Sequence, residues 1–131
     1  MREIKFRVWD EENDEMVYEA GITPEGIPYT IPSHSESFDQ FNYYPHCHKM
    51  QYSGLKDKNG VEIFEGDIVR IHPREGYGHI VVNGNTGIVE YGYGTCVIRN
   101  TNDGRTLFPF YAEYDVIGNI YEHSHLLEDA E

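Results

Sequence analysis

Short alternations of apolar and polar residues open the chain and return along most of its length. From residue 4 to residue 8, large apolar side chains alternate with basic ones, and Trp9 follows on the side of the basic residues, which is the period of a β-strand with one buried face. We expect Lys5 and Arg7 to face solvent on this strand. After an acidic break at residues 10 to 14, apolar residues return at Met16 and Val17. The N-terminus therefore predicts a β-hairpin.

The alternation weakens between Ala20 and His48. Prolines interrupt this segment at positions 24, 28, 32 and 45, and no helical period replaces the strand period. The pattern predicts a long irregular insert. A structureless segment of this length is uncommon inside a compact domain, which leaves three interpretations: a functional role, docking on a partner subunit, or disorder in isolation.

Two turn signals divide the central segment into short strands. The first is Asn59-Gly60, which lies between two apolar runs, and both residue types tolerate the positive φ that a tight hairpin needs. The second is Gly66-Asp67, which precedes another apolar strand. We expect Gly66 to permit a sharp reversal and the Asp67 carboxylate to accept backbone amide hydrogen bonds in that turn.

Further short strands are predicted beyond the central segment. They cover residues 79–82, 87–93, 95–99, 106–111 and 116–121, and turns containing glycine or asparagine separate most of them. Leu126 and Leu127 are expected to form a closing helical turn. Short strands at close spacing are typical of a small barrel or sandwich, because such strands must curl and close to hide their edges.

The predicted fold class is therefore mainly β, in a single domain over residues 1–131. We divide it into an N-terminal hairpin with the irregular insert at 1–48, a β-barrel core at 49–122 and an acidic tail at 123–131. The opening of the core, with a Gly-Asp turn before its first long strand, is also the opening of many SH3-like barrels. A domain of this length is large enough to bury a core of its own.

The charge of the chain narrows its possible partners. Lys and Arg number 10 and Asp and Glu number 23, which gives a formal net charge of −13. Such a field repels phosphate backbones and anionic lipid, so nucleic acid is a disfavoured partner and no membrane association is expected. Neither an export signal nor an apolar run of membrane-spanning length is visible. We expect a bacterial cytoplasmic location, with Cys47 and Cys96 as free thiols.

Three blocks of the chain resemble a known family. They are MREIKFRVWD at residues 1–10, MQYSGLKDKNG at 50–60 continuing to IFEGDIV at 63–69, and VIGNIYE at 116–122. In this order they are similar to the YopX family of phage and prophage proteins. The resemblance implies an all-β fold with an SH3-like barrel in the C-terminal portion and a phage or prophage source. It implies no enzymatic activity, catalytic residue or cofactor.

Two His-x-His pairs are candidate metal ligands. They are His46 with His48 and His123 with His125. Alternate residues of a strand point to one face, and imidazoles placed in this way can share a zinc ion. However, nothing in the sequence brings the two pairs together, and a zinc site demands several ligands in strict geometry. We therefore predict no metal site and no cofactor, with these histidines as the candidates to examine.

Catalytic motifs are missing from the sequence. Ser53 lies in Tyr-Ser-Gly rather than in a nucleophile elbow, and neither cysteine has the basic neighbour that would stabilise a thiolate. The glycines at 76, 78, 84 and 87 lack the strand-to-helix context of a phosphate-binding loop. The prediction is that the protein is not an enzyme.

Two functions remain after these exclusions. The first is a noncatalytic phage or prophage accessory protein that self-associates or binds a host or phage protein. The alternative is a nucleic-acid-related module, which either binds nucleic acid directly or mimics it and occupies a host DNA-binding protein. Direct binding would need a local basic groove, for which the candidates are Arg70, Arg74, Arg99 and Arg105.

Aromatic residues of the predicted barrel serve either hypothesis. They are Tyr77, Tyr91, Tyr93, Phe108, Phe110 and Tyr111. Burial is the first demand on such side chains, so we expect most of them in the core. At least one ring is expected at the surface, where it can stack on a peptide or a base.

Overall fold

The computed structural model describes residues 4–32, 41–45, 47–73, 86–92, 94–101, 104, 106–107 and 112–128. The strands are β1 Phe6–Asp10, β2 Glu15–Ile22, β3 Pro28–Thr30, β4 Asn42–Tyr43, β5 His48–Lys56, β6 Glu62–Phe64, β7 Asp67–Pro73, β8 Thr86–Gly92, β9 Thr95–Asn100, β10 Thr106–Leu107 and β11 Ala112–Asn119, and α1 is His125–Glu128. The fold is mainly β, as predicted. The chain divides into two compact units, Met1–Tyr52 and Ser53–Glu131.

The first unit is an antiparallel sheet with the strand order β4-β3-β2-β1-β5. Strand β1 pairs with β2 and with β5, so that Val8 lies opposite Val17 on one side and Lys49 on the other. The predicted N-terminal hairpin is thus confirmed. Arg7 is buried instead of facing solvent, because β1 is an interior strand and its consecutive residues 7 to 10 are buried on both faces.

Part of the segment expected to be irregular extends this sheet. Strand β2 continues to Ile22, and β3 and β4 add two short strands beyond it. The connection between β2 and β3 is a turn in which the Ile27 amide donates to Thr23 Oγ1 at 3.1 Å and Gly26 has a φ of 87°. Prolines hid these strands from sequence analysis, although Pro28 occupies the first position of β3, where a strand tolerates proline.

The second unit contains a five-stranded antiparallel sheet with the order β10-β9-β8-β7-β11. Strand β5 continues past Tyr52 into this unit, where β6 is its neighbour. The buried core cluster of the unit consists of Ile63, Val69, Ile71, Val89, Cys96, Ile98, Ala112 and Tyr114. The strand predicted at 116–121 begins earlier, at Ala112, and the helical turn at Leu126 is confirmed by α1. The strand predicted at 79–82 lies outside the described residues, and closure into an SH3-like barrel stays a prediction.

Two aspartate carboxylates organise the turns of the second unit. Asp57 Oδ1 accepts hydrogen bonds from the amides of Asn59 at 2.8 Å and Val61 at 2.9 Å, and Asp57 Oδ2 accepts one from the Val116 amide at 3.0 Å. Asp67 Oδ2 accepts the Phe64 amide at 2.8 Å, which confirms its predicted role. Both side chains are buried, so the amides of these turns have a carboxylate partner inside the protein.

Gly66 connects the second turn to the strands around it. Its φ is 86°, the left-handed conformation that glycine adopts without a steric penalty. Its amide donates to the Val89 carbonyl at 2.8 Å, and its carbonyl accepts the Ile120 amide at 2.9 Å. The reversal expected from the sequence therefore also ties β8 and the end of β11 to the start of β7.

No helix in the ranges that the structure describes is long and apolar enough to cross a membrane.

Replacing Asp57 with alanine should lower the free energy of unfolding by about 1.5–3 kcal/mol, because three partly buried backbone amides lose their acceptor. Urea denaturation measures the change. Glu113→Ala, which removes an exposed carboxylate of the same unit, should cost less than about 0.5 kcal/mol. Equal losses in the two variants would contradict the role assigned to Asp57.

Candidate functional site

The first unit contains a cavity of about 620 Å³ with acidic and aromatic walls. One wall is the turn between β1 and β2, with Asp10, Glu11 and Glu12. The other is β4 and the residues around it, with Phe41, Tyr43, Tyr44 and Cys47. We call this space the acidic-aromatic cavity.

The acidic wall is held in shape by Asp10. Its Oδ1 accepts the Glu12 amide at 3.1 Å, and its Oδ2 accepts the Asn13 side-chain amide at 2.8 Å. Asp14 closes the turn with a φ of 50°, a left-handed conformation that aspartate tolerates better than most residues. Because Asp10 is buried and carries the turn, Glu11 and Glu12 are left exposed as the charged surface of the wall.

The rings of the aromatic wall pack against Tyr29 of β3, which lies outside the lining. The rings of Tyr29 and Phe41 stack at a centroid distance of 5.7 Å, and Tyr29 and Tyr43 lie 6.3 Å apart in a tilted arrangement. The hydroxyl groups of Tyr44 and Thr30 are 3.3 Å apart. Tyr43 remains 48% exposed, so its ring offers a face to a ligand.

Cys47 lies against the acidic wall. Burial is the main cause that raises the pKa of its thiol, and the negative charges of Asp10, Glu12 and Glu11 together with a hydrogen bond to Asp10 raise it further. Both cysteines are free, as predicted, and Cys96 is buried as expected, whereas Cys47 is only half-buried. Cys47 is therefore protonated at neutral pH and is a poor nucleophile.

The candidate metal ligands have other roles where they are described. His46 lies outside the described residues, and His48 Nε2 pairs with Glu11 Oε1 in the first unit. His123 and His125 belong to the second unit, follow β11 instead of lying on a strand, and have ring centroids 6.2 Å apart. The Asn119 amide donates to His123 Nδ1 at 3.1 Å. Within the described ranges, no three His, Cys, Asp or Glu side chains are grouped as metal ligands.

The second unit contains a cavity of about 720 Å³ whose wall is mainly apolar. Its apolar wall consists of Leu55, Ile63, Cys96, Ile98, Ala112 and Tyr114. All of these except Leu55 also belong to the buried core cluster of the unit. Four charged residues complete the lining: Lys56, Asp57 and Lys58 at the end of β5 and in the turn that follows, and Glu113 on β11. We call this space the apolar cavity.

A polar cluster around Asp115 lies in the same unit. The carboxylate accepts hydrogen bonds from His72 Nε2 and Asn59 Nδ2, each at 2.8 Å, and Lys58 Nζ is 3.7 Å away. These partners favour the ionised form. The hydrogen bond from His72 is the main cause that lowers the pKa of Asp115, and the charge of Lys58 adds to it.

The sequence of the chain matches a known protein family. The family model described as YopX protein matches residues 5–128, which is most of the chain. The chain belongs to the YopX family. The resemblance seen in three sequence blocks is thus confirmed, and the mainly β fold is the fold of similar solved structures.

Two solved structures illustrate the likeness of this YopX family member. Protein EF1440 from Enterococcus faecalis is 26% identical, with a TM-score of 0.63 over 97% of this chain and 99% of that chain. Protein yopX from Bacillus subtilis is 19% identical, with a TM-score of 0.60 over 93% of this chain and 96% of that chain, a likeness of fold alone. No protein among those with curated descriptions matches.

Sequence reasoning missed both cavities of this YopX family member. Tyr43 and Tyr44 fell in the segment expected to be irregular, although adjacent tyrosines near a strand were a usable signal. The Asp115–His72 contact crosses strands β7 and β11, and no spacing rule reveals it. Of the predicted aromatic set only Tyr91 is among the described residues, and it is exposed.

The Asp115 contacts predict a specific loss of stability in acid. Because the pKa of Asp115 is lowered in the folded state, its stabilisation is present above the ordinary aspartate pKa of 3.8 and disappears as the pH falls through the lowered value. The unchanged protein should therefore lose stability more steeply below about pH 4 than Asp115→Asn, as measured by urea denaturation across pH. Glu113→Gln should retain the steep loss, and parallel curves for the protein and Asp115→Asn would overturn the assignment.

The surroundings of Cys47 predict slow alkylation. The pH at which iodoacetamide reacts at half its maximal rate should lie above the ordinary thiol pKa of 9.0, and peptide mapping by mass spectrometry separates Cys47 from Cys96. Glu12→Gln should shift this pH downward because one neighbouring negative charge is removed. Glu25→Gln, in the turn between β2 and β3, should leave it unchanged. A midpoint at or below the ordinary value would contradict the electrostatic account.

Proposed function

We propose that this YopX family member is a noncatalytic phage or prophage accessory protein that binds a basic segment of a partner protein. The acidic-aromatic cavity is the binding site in this proposal. The observation that carries it is the convergence of the acidic turn and the tyrosines of β4 on one cavity of about 620 Å³. Self-association and a cytoplasmic location, expected from the sequence, stay predictions.

A lysine or arginine side chain suits both walls of the cavity. An ammonium or guanidinium group over the face of an aromatic ring is attracted by the ring quadrupole, which Tyr43 supplies. The same cation gains a charge-assisted hydrogen bond from a carboxylate, which Glu12 supplies. The volume lies within the roughly 300–1,000 Å³ of ordinary ligand pockets, so it suits one or two side chains of a partner and not a folded element.

The charge of the whole chain supports the same partner class. A formal net charge of −13 attracts a basic protein from a distance and raises the rate of encounter. Local carboxylates at the cavity then select where the basic segment docks. Long-range steering and local recognition therefore favour the same sign of partner.

A noncatalytic role is supported by the pKa shifts of Cys47 and Asp115. The raised pKa of Cys47 keeps its thiol protonated, whereas a nucleophilic cysteine needs a thiolate. The lowered pKa of Asp115 keeps its carboxylate ionised, whereas an efficient general acid or base has a pKa near the working pH. The shifts therefore disfavour Cys47 as a nucleophile and Asp115 as a general acid or base at neutral pH.

Of the two nucleic-acid-related hypotheses, mimicry of nucleic acid has more support than direct binding. An acidic protein that docks on a basic segment can occupy the nucleic-acid site of that partner, which the proposed cavity also allows. Direct binding has less support, because Arg99 Nε pairs with Glu90 Oε1 at 3.0 Å. Arg70 is exposed on β7, and Arg74 and Arg105 lie outside the described residues.

Fluorescence anisotropy with a labelled arginine-glycine repeat peptide tests the proposal. We expect saturable binding that weakens by about two- to five-fold in Tyr43→Ala, because one cation–π contact at an exposed site is lost. Glu12→Gln should weaken binding by about two-fold or more through loss of one local charge. A glutamate-glycine repeat peptide should not bind.

Matched variants separate the cavity from general charge attraction. Glu25→Gln changes the net charge by the same amount as Glu12→Gln but lies outside the cavity lining, and Tyr18→Ala removes a tyrosine that is 55% exposed elsewhere in the unit. Both controls should bind the peptide like the unchanged protein. Equal weakening by cavity and control variants would reject the cavity, and a shift of labelled duplex DNA at low salt would favour direct nucleic-acid binding instead.

A further inference from the structure

The wall of the apolar cavity is built from one face of two strands. Cys96 and Ile98 are alternate residues of β9, and Ala112 and Tyr114 are alternate residues of β11, so each pair points to one side of its strand. All four are buried and belong to the core cluster with Ile63. The wall is therefore part of the packed core, so its side chains are held in place by their neighbours.

The size of the cavity indicates the class of occupant. A volume of about 720 Å³ lies in the range of roughly 300–1,000 Å³ that encloses drug-sized molecules in proteins. Leu55 borders the wall and is 40% exposed, which leaves apolar surface accessible for a ligand to cover. The cavity thus suits a compact organic molecule with an apolar body.

The charges beside the wall indicate the polar group of that molecule. Both oxygens of the buried Asp57 carboxylate are engaged by backbone amides. Glu113 alternates with the buried Ala112 and Tyr114 on β11, which directs its carboxylate to the other face of the strand. Both residues belong to the lining of the cavity, where the Asp57 carboxylate is occupied by backbone amides and Glu113 is exposed to solvent.

The lysines of the lining are the remaining charged groups. Lys56 and Lys58 are exposed, and their long flexible stems let the ammonium groups reach the cavity mouth. The contact of Lys58 with Asp115, at 3.7 Å, is an exposed ion pair of small energy, so it can exchange for a ligand anion.

We propose that the apolar cavity binds a small organic molecule with an apolar body and one anionic group, held by the core-facing wall and by Lys56 and Lys58. This site lies in the second unit and is independent of the peptide site proposed for the first. The net charge of −13 opposes anion binding at long range. Tighter binding of an anionic ligand than of a neutral one would therefore be a local effect of the two lysines, and this difference can be measured.

A matched pair of fluorescent probes separates the apolar and anionic parts of the proposal. Anilinonaphthalene sulfonate carries the anionic group, and N-phenylnaphthylamine has the same aromatic body without it. Titration of the folded full chain with each probe should give saturable binding of both, with the sulfonate bound more tightly. Amide chemical shifts of Leu55, Ile98 and Ala112 should move with either probe.

Variants at the mouth identify the site. Leu55→Glu should weaken both probes by at least about five-fold, because a carboxylate replaces apolar contact surface. Val61→Glu adds the same charge at a residue that is 48% exposed and outside the lining, and it should leave the neutral probe unaffected. Lys56→Gln combined with Lys58→Gln should weaken the sulfonate by about two- to five-fold and leave the neutral probe unchanged.

Several results would overturn the proposal. The cavity is rejected if neither probe saturates, or if Leu55→Glu and Val61→Glu weaken the neutral probe equally. The anionic assignment is rejected if the double lysine variant binds the sulfonate like the unchanged protein. All variants should keep the thermal denaturation profile of the unchanged protein, which shows that the differences in probe binding do not arise from unfolding. The same variants should bind the arginine-glycine peptide unchanged, which separates this test from that of the first unit.

Discussion

The carboxylate of Asp57 joins parts of the second unit that are far apart in sequence. It holds the turn between β5 and β6 through the amides of Asn59 and Val61, and it holds β11 through the amide of Val116. One buried side chain thus takes the place of several missing backbone partners. The apolar cavity depends on this contact, because its wall combines residues of β6 and β11 that the carboxylate keeps in register with the turn.

The two units use acidic side chains in different ways. In the second unit, Asp57 and Asp67 are buried and accept hydrogen bonds from backbone amides, so these carboxylates have a structural role. In the first unit, Asp10 serves the turn between β1 and β2, and this leaves Glu11 and Glu12 exposed beside aromatic rings. A strongly acidic composition therefore contains both structural carboxylates and a surface available for recognition, and only the structure separates them.

Local patterns predicted the parts of the fold that depend on local chemistry. Alternation identified β1 and its hairpin, and the Gly66-Asp67 turn behaved as its residue types require, with a left-handed glycine and an aspartate that accepts an amide. The three blocks of family resemblance also fall in these well-patterned regions. Such features need information only from residues a few positions apart.

Features that depend on distant contacts were not predictable in the same way. Arg7 looked exposed by alternation, yet neighbours on both sides of β1 bury it. The prolines between Ala20 and His48 concealed β3 and β4, because proline is read as a strand breaker even where it begins a strand. The cavities could not be predicted either, because each combines side chains from segments that only folding brings together.

The short strand β4 that ends the sheet of the first unit has only two residues, so it exposes little backbone for another chain to extend by strand addition. Extension of this sheet by strand addition at β4 is thereby discouraged.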